Sequence, residues 1–233
     1  LRSRDGDPYD ADVCIVGGGM TGAAIARDAA SCGFRVIILE RDAQLGGVCA
    51  KNDYPGLRLH GPGASFRCCS LAPPWQSGHG HDVFYRPTQS EILKYIEQMA
   101  AHDLIQIHTG VSYEDHSRHS SSVLRVSCTG RTLMCRSLVF ANGTYSETTA
   151  GAPLMPIDRS LISNGACVMH SSELAANRLA FAQAERRYLV GASKAAIDVL
   201  QGLDPADEAL VWAHRGHMIF LNRDAVMTPK ALL

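Results

Sequence analysis

Asp12-Val13-Cys14-Ile15-Val16-Gly17-Gly18-Gly19-Met20-Thr21-Gly22 is an apolar run stopped by three glycines and followed by the alanine-rich stretch Ala23 to Ala30. A short run without polar alternation is what a strand buried on both faces looks like. The alanines favour helix, Gly33 ends it, and Arg35-Val36-Ile37-Ile38-Leu39 supplies a second apolar strand. Strand, turn, helix and strand in about 30 residues make a βαβ unit, whose right-handed crossover places the two strands parallel. Glu40 closes the unit 23 residues after Gly17. In a glycine turn of this kind Gly17 permits the tight bend, Gly19 lets the backbone approach a pyrophosphate, and Gly22 allows close helix–strand packing. The helix N-terminus beyond offers N–H donors and a positive dipole end to phosphate.

A second such unit lies further along. Tyr188-Leu189-Val190-Gly191-Ala192-Ser193-Lys194-Ala195-Ala196 repeats the strand–turn–helix pattern, and Arg215 stands 24 residues after Gly191. Here Ser193 replaces the middle glycine and Ala196 the last. An acid at the unit's end accepts hydrogen bonds from a free ribose, whereas an arginine accommodates a 2′-phosphate. One chain with both ends therefore predicts two dinucleotides, most simply FAD at the first unit and NADP(H) at the second. The fold class expected is α/β: an FAD/NAD(P)-binding, doubly wound, Rossmann-like domain followed by the start of a second nucleotide-binding domain.

The chain has 233 residues, 46% hydrophobic and 19% charged, with a formal net charge of −1. That composition is globular and gives no electrostatic reason to expect nucleic acid or a membrane surface as partner. No apolar run approaches the roughly 20 residues of a spanning helix, and Leu1-Arg2-Ser3-Arg4-Asp5 is not a signal peptide. The absence of an initial Met suggests an excised or incomplete piece. The eight cysteines show no zinc or thioredoxin spacing, and Cys68-Cys69 are adjacent. They read as small buried hydrophobes in a cytoplasmic or other reducing intracellular compartment. His79-Gly80-His81-Asp82 projects its histidines to opposite sides of an extended segment, so no metal site is expected.

Between the units, Gly46 to Arg86 is rich in Gly, Pro, Ser and Arg with little periodicity, and irregular stretches of this length are usually functional. Thr88-Gln89-Ser90-Glu91 predicts a capping box for a helix carrying Ile92, Leu93, Ile96 and Met99 on one face. Strands are expected at 104–107, 123–127, 132–134 and 137–141, with Gly130-Arg131 as a hairpin turn and the Ser- and His-rich 116–122 as an exposed turn. The domains expected are 10–150 for FAD, 151–186 as a linker whose early part carries two prolines, and 187–233 as an incomplete NADP-binding domain.

Four motifs in order carry a family resemblance over roughly residues 10–220. Gly46-Gly47-Val48-Cys49-Ala50-Lys51-Asn52-Asp53-Tyr54-Pro55-Gly56 resembles the Gly-Gly-x-Trp and following Asn-x-Tyr-Pro-Gly of the flavin-containing and Baeyer–Villiger monooxygenases. Phe140-Ala141-Asn142-Gly143 resembles their Ala-Thr-Gly segment, and Val168-Met169-His170-Ser171-Ser172 the His-Ser end of their linker fingerprint. Gly191-Ala192-Ser193-Lys194-Ala195-Ala196-Ile197-Asp198 is similar to their NADP-domain motif. The chain departs from the pattern in three places. Cys49 stands where Trp is usual, Gly165 lies five residues before His170 instead of four, and His60 occupies the position of an acid in the Baeyer–Villiger branch.

The resemblance implies an oxidoreductase, a monooxygenase that uses FAD, NADPH and dioxygen to oxygenate soft nitrogen or sulfur nucleophiles through a C4a-hydroperoxyflavin. The alternatives are a Baeyer–Villiger ketone oxygenase and an inactive, truncated FAD-binding module. The FAD-binding set expected is Gly17, Gly19, Met20, Thr21, Gly22, Glu40, Arg41, Gly46, Gly47, Val48, Val111, Ala141 and Gly143. The NADP set is Gly191, Ser193, Lys194 and Arg215. Asn52 and His60 are the candidate catalytic side chains. Cys49 evokes the disulfide reductases of the same superfamily, but the partner position five residues on is Tyr54, so there is no thiol with which to exchange electrons.

Overall fold

The computed structural model describes residues 9–52, 54, 56–59, 61–78, 85–143, 166–201 and 208–216. Strand β1 (Ala11–Val16), helix α1 (Met20–Ser31) and strand β2 (Val36–Glu40) form the first βαβ unit as the apolar pattern requires. β1 pairs with β2 in parallel, Val13 opposite Val36 through Val16 opposite Leu39. All five residues of β2 are buried. Helix α1 stops at Cys32, and Gly33, at φ +88°, turns the chain back toward the sheet.

The irregular stretch contains two short helices, α2 (Val48–Lys51) and α3 (Trp75–Gly78), and a single 3-10 turn at Gly63–Ser65. Elsewhere it is pinned from outside. The Asp28 carboxylate accepts from the backbone of Cys69 and Ser70 and from the Ser70 hydroxyl, while the Tyr95 hydroxyl donates to the Leu71 carbonyl and accepts from Cys68 N–H. Trp75 packs edge-on against Tyr95 with ring centroids 5.1 Å apart. The stretch lacks periodicity because side chains of α1 and the next helix, and not a repeating ladder, hold it.

That helix is α4 (Gln89–Ala100), and it starts at the capping box expected: Thr88 accepts from Glu91 N–H, and Glu91 accepts from Thr88 N–H at 2.8 Å. Ile92, Tyr95, Ile96 and Met99 are buried in one cluster with Ala23 of α1, so α1 and α4 cover one face of the sheet together. Thr88→Ala removes the reciprocal cap and is expected to cost about 1 kcal/mol, read as a lower urea midpoint at unchanged slope.

Strands β3 (Ile105–Thr109), β4 (Tyr113–Arg118), β5 (Leu124–Cys128) and β6 (Arg131–Phe140) complete a six-stranded sheet of order β3-β2-β1-β6-β5-β4. The four strands β3, β2, β1 and β6 are parallel, and β5 and β4 run antiparallel as a meander. Two expectations are corrected here. The strands expected at 132–134 and 137–141 are one ten-residue strand, because β6 pairs with β5 through its first half and with β1 through its second. The polar Arg136-Ser137 pair marks that change of partner, not a break. Residues 116–118, expected in an exposed turn, belong to β4; the loop is confined to 119–123. β4 is an edge strand with five of its six residues exposed, so it carries no apolar alternation to reveal it.

Beyond this sheet, His170 caps a 3-10 turn at Ser171–Glu173, helix α5 spans Arg178–Gln183, and β7 (Arg187–Val190), α6 (Lys194–Gln201) and β8 (Leu210–Ala213) form the second βαβ unit. β7 and β8 are parallel, Arg187 opposite Leu210 through Val190 opposite Ala213. Residues 151–165 of the expected linker and the His79-Gly80-His81-Asp82 stretch lie outside the described residues, as does His60. Among the described residues no cluster of His, Cys, Asp and Glu could hold a metal, and no helix is long and apolar enough to cross a membrane.

Candidate functional site

The first glycine turn sits at the C-terminal ends of β1 and β6, with Ala141 N–H donating to the Val16 carbonyl beside it. Gly17 has φ +107°, and a Cβ there would meet the Ala141 carbonyl oxygen at 2.6 Å. At Gly22 a Cβ would lie 1.9 Å from the Gly17 carbonyl oxygen, so the helix can approach the strand only without a side chain. Gly19 differs. Its backbone is extended, and a Cβ there would stand in ordinary contact, 3.7 Å from the Gly47 Cα. No protein atom demands glycine at that position.

Helix α1 begins at Gly19 with no side-chain cap and no acid in its first turn. Its leading N–H groups are thus offered outward, unlike those of α4, which its own threonine and glutamate satisfy. Gly46 and Gly47 close over this end: Gly46 N–H donates to the Gly18 carbonyl at 3.0 Å, and Gly47 abuts Gly19. α2 follows at once, with Val48 56% exposed beside the turn. Gln89 of α4 holds α2 from behind, donating to the carbonyls of Cys49 and Asn52.

Glu40, at the end of β2, is 6% exposed. One of its carboxylate oxygens accepts Gly18 N–H at 2.7 Å and the other accepts Asp42 N–H at 2.9 Å. Each oxygen keeps a further lone pair for a hydroxyl. Val111 N–H donates to the Glu40 carbonyl, which brings the start of the meander to the same rim. Met20 is half-buried against the α1–α4 cluster, Thr21 and Arg41 are exposed, and Gly143 is exposed two residues beyond Ala141. Asn52 ends α2, half-buried. The residues expected to hold FAD thus converge on one edge of the sheet, from the first turn, β2, the Gly46–Val48 segment and the end of β6.

Cys49 is half-buried, and burial raises its thiol above the ordinary range, which keeps it protonated and unreactive. Cys14 and Cys135 are buried together on β1 and β6; a hydrogen bond between them, then burial, holds Cys14 well above the usual thiol range. All eight cysteines are free; Cys14, Cys68, Cys128 and Cys135 are the small buried hydrophobes expected, whereas Cys32, Cys69 and Cys167 are exposed.

In the second unit Gly191 has φ +118° and its carbonyl accepts the Trp212 indole N–H at 2.8 Å, tying β8 to the turn. Ser193 is exposed just before α6, and Arg215 is exposed just past β8. Lys194 points elsewhere: its ammonium pairs with Asp198 one turn along the helix. Asp198, the last residue of the stretch that resembles the NADP-domain motif, is itself buried. A cavity of about 410 Å3 lies between the start of α4, the Tyr54–Leu57 segment and α5, lined by Tyr54, Leu57, Thr88, Gln89 and Arg178.

Residues 15–77 match the family that describes an NAD(P)-binding Rossmann-like domain. The first unit is a Rossmann-like dinucleotide-binding unit. Over 90 residues the chain is 32% identical to the FAD-binding monooxygenase lolF2 of Epichloe uncinata, covering 38% of this chain and 16% of that protein. A flavin monooxygenase from Stenotrophomonas maltophilia (a double mutant) superposes with a TM-score of 0.66 at 21% identity, over 92% of this chain and 60% of that one. OTEMO in complex with FAD and NADP superposes with a TM-score of 0.59 at 20% identity, over 84% of this chain and 37% of that one. At these identities the structural likeness is one of fold. The chain spans less than two thirds of each relative, so the activity of the whole protein is a matter for proposal.

Proposed function

We propose that this chain is the nucleotide-binding part of an FAD- and NADPH-dependent monooxygenase that oxygenates a small molecule with a soft nitrogen or sulfur nucleophile. The observation that carries the reading is the contrast at the first turn. Gly17 and Gly22 are glycine because the protein's own backbone fills the space, whereas Gly19 faces the uncapped end of α1 with no packing reason to be glycine. A backbone kept bare beside outward N–H groups, with a fixed carboxylate at the end of the next strand, fits a dinucleotide with a free ribose. The relation to an FAD-binding monooxygenase over the region compared makes FAD that dinucleotide.

In this reading the α1 N-terminus and Gly19 hold the pyrophosphate, Glu40 accepts the ribose hydroxyls, and Gly46 to Val48 lie against the ligand with Gln89 fixing them from behind. Met20, Thr21, Arg41, Val111, Ala141 and Gly143 line the same rim. When bound, FAD supplies the redox chemistry: it accepts a hydride from NADPH and activates dioxygen, one atom of which goes to the substrate while the other leaves as water. The side chains here bind, orient and exclude water. A ketone substrate is the second reading, supported by Asn52 and Tyr54 in their Asn-x-Tyr-Pro-Gly setting. Product analysis with a thioether and a cyclic ketone separates the two: a sulfoxide supports the first and an ester the second.

Gly191, Ser193 and Arg215 would hold NADPH, with Arg215 as the cation for the 2′-phosphate because Lys194 is committed to Asp198. A charge-assisted contact is worth about 1.5–3 kcal/mol. Arg215→Ala is therefore expected to lower the NADPH-over-NADH preference in flavin reduction by roughly ten- to a hundred-fold. An unchanged ratio removes Arg215 from the site.

A further inference from the structure

The two nucleotide units meet at a point that the binding sets above do not include. Tyr54, eight residues past Gly46, is 7% exposed and packs with Val199 of α6, its hydroxyl on the side of the Asp198 carboxylate. The backbones are equally close: a Cβ at Gly56 would meet the Asp198 carbonyl oxygen at 3.6 Å. Tyr54, Leu174 and Val199 form a buried cluster, with Leu57, Met169, Phe181, Leu189 and Ala195 packed around it. The contact therefore joins the Gly46–Leu57 segment, the 3-10 turn after His170 and the second βαβ unit.

The chemistry of this point is not that of a surface ion pair. Asp198 is 6% exposed, and a carboxylate so placed is costly unless each lone pair finds a donor. Lys194 supplies one donor from the same helix. A cation four residues before its acid is the less favourable order on a helix, so local helix stability does not account for the pair. The Tyr54 hydroxyl stands beside the same carboxylate, from the Gly46–Leu57 segment. Burial, then the Asp198 charge, pushes the Tyr54 hydroxyl up to about 12, so the phenol keeps its proton.

A continuous set of contacts then runs from one turn to the other. Gly18 bonds to Gly46, Gly47 leads into α2, Gln89 fixes the α2 carbonyls of Cys49 and Asn52, Tyr54 reaches Asp198, and Asp198 holds Lys194 at the first position of α6 beside Ser193. We propose that Tyr54, Asp198 and Lys194 are positioning residues that lock the second nucleotide unit against the first and so set the distance between the two dinucleotides. The proposal rests on the two-dinucleotide reading. Hydride transfer is steeply sensitive to donor–acceptor geometry, so a loosened junction should slow transfer more than it weakens binding.

The test uses Tyr54→Phe, which keeps the ring in its pocket, together with Asp198→Asn and the double variant, in the FAD-loaded full-length protein. Tyr54→Phe is expected to retain its FAD and to lose at least ten-fold in the limiting rate of anaerobic flavin reduction by NADPH. The NADPH half-saturation concentration should change less than three-fold. The double variant should be no slower than the slower single variant. Amide exchange, which needs no turnover, should rise in α6 and β8 of Tyr54→Phe and stay unchanged in α1. Reduction within two-fold of wild type, additive losses in the double variant, or unchanged exchange in α6 would each overturn the junction. Failure of the wild-type protein to be reduced by NADPH would instead overturn the functional reading, with the exchange result still deciding whether Tyr54 fixes α6.

Discussion

Gly19→Val is expected to give a folded protein that purifies without FAD, and Gly22→Ala to give little folded protein at all. The two glycines stand three residues apart in one turn, yet their surroundings are opposite. A Cβ at Gly22 would sit 1.9 Å from the Gly17 carbonyl oxygen, inside the backbone of the same turn, where no flexible side chain can yield. Relieving that overlap means moving α1 off β1 and exposing part of the cluster that Ile15, Ala26, Val36 and Ile38 form. Overpacking of this kind costs about 1–3 kcal/mol when neighbours can shift and more when they cannot, a large share of ordinary domain stability. At Gly19 the backbone is already in a region open to any residue, and the first protein neighbour of a Cβ is the Gly47 Cα at 3.7 Å. Valine is a poorer N-cap than glycine, which costs about 1 kcal/mol or less. Its methyl groups would stand over the outward N–H groups of α1 and displace a pyrophosphate. The checks are flavin released per mole of protein on denaturation and the urea midpoint of the apoprotein. Gly19→Val protein that keeps stoichiometric FAD would remove the first turn from the proposed site.

What could be read from residue order alone follows from how locally each feature is determined. β1, α1, β2 and α4 announce themselves because both their burial and their stops lie within a few residues: apolar runs, Gly33, and the Thr88–Glu91 box. β4 does not, since Tyr113 to Arg118 is held by ladder bonds to β5 and not by an apolar face. The unity of β6 was hidden for a related reason: a strand that changes partners halfway needs no single periodicity. At the site, Gly17, Gly22 and Glu40 were legible because the turn's own geometry prescribes them. The destination of Lys194 was not, because Asp198 is buried against the Tyr54–Gly56 segment, which is far away in sequence.

Glu40 carries the second large effect, and its two roles separate by substitution. As built, its carboxylate ties the first turn to the turn after β2, accepting Gly18 N–H on one oxygen and Asp42 N–H on the other. Charge-reversing Glu40→Arg would place a buried guanidinium against two N–H donors, with no acceptor among them. That loses the fold along with the ligand, so it says little about FAD. Glu40→Gln is the informative change. It preserves volume and one accepting oxygen, but turns an amide NH2 toward the other backbone N–H and removes the negative charge. Leaving one buried donor unsatisfied costs about 1–3 kcal/mol, which in a domain of this size is a fall of several degrees in Tm. Ribose hydroxyls that donated to an ionised acceptor would donate to a neutral one, weakening FAD by roughly ten-fold or more. The two losses are read separately, the first in apoprotein Tm and the second in FAD titration of protein held well below that Tm. A fall in Tm with FAD affinity unchanged would leave Glu40 as a strut of the turn and place the ribose elsewhere. Weakened FAD at unchanged Tm would mean that the Gly18 and Asp42 bonds are dispensable to the fold. Both losses together are what a carboxylate shared between backbone and ligand requires.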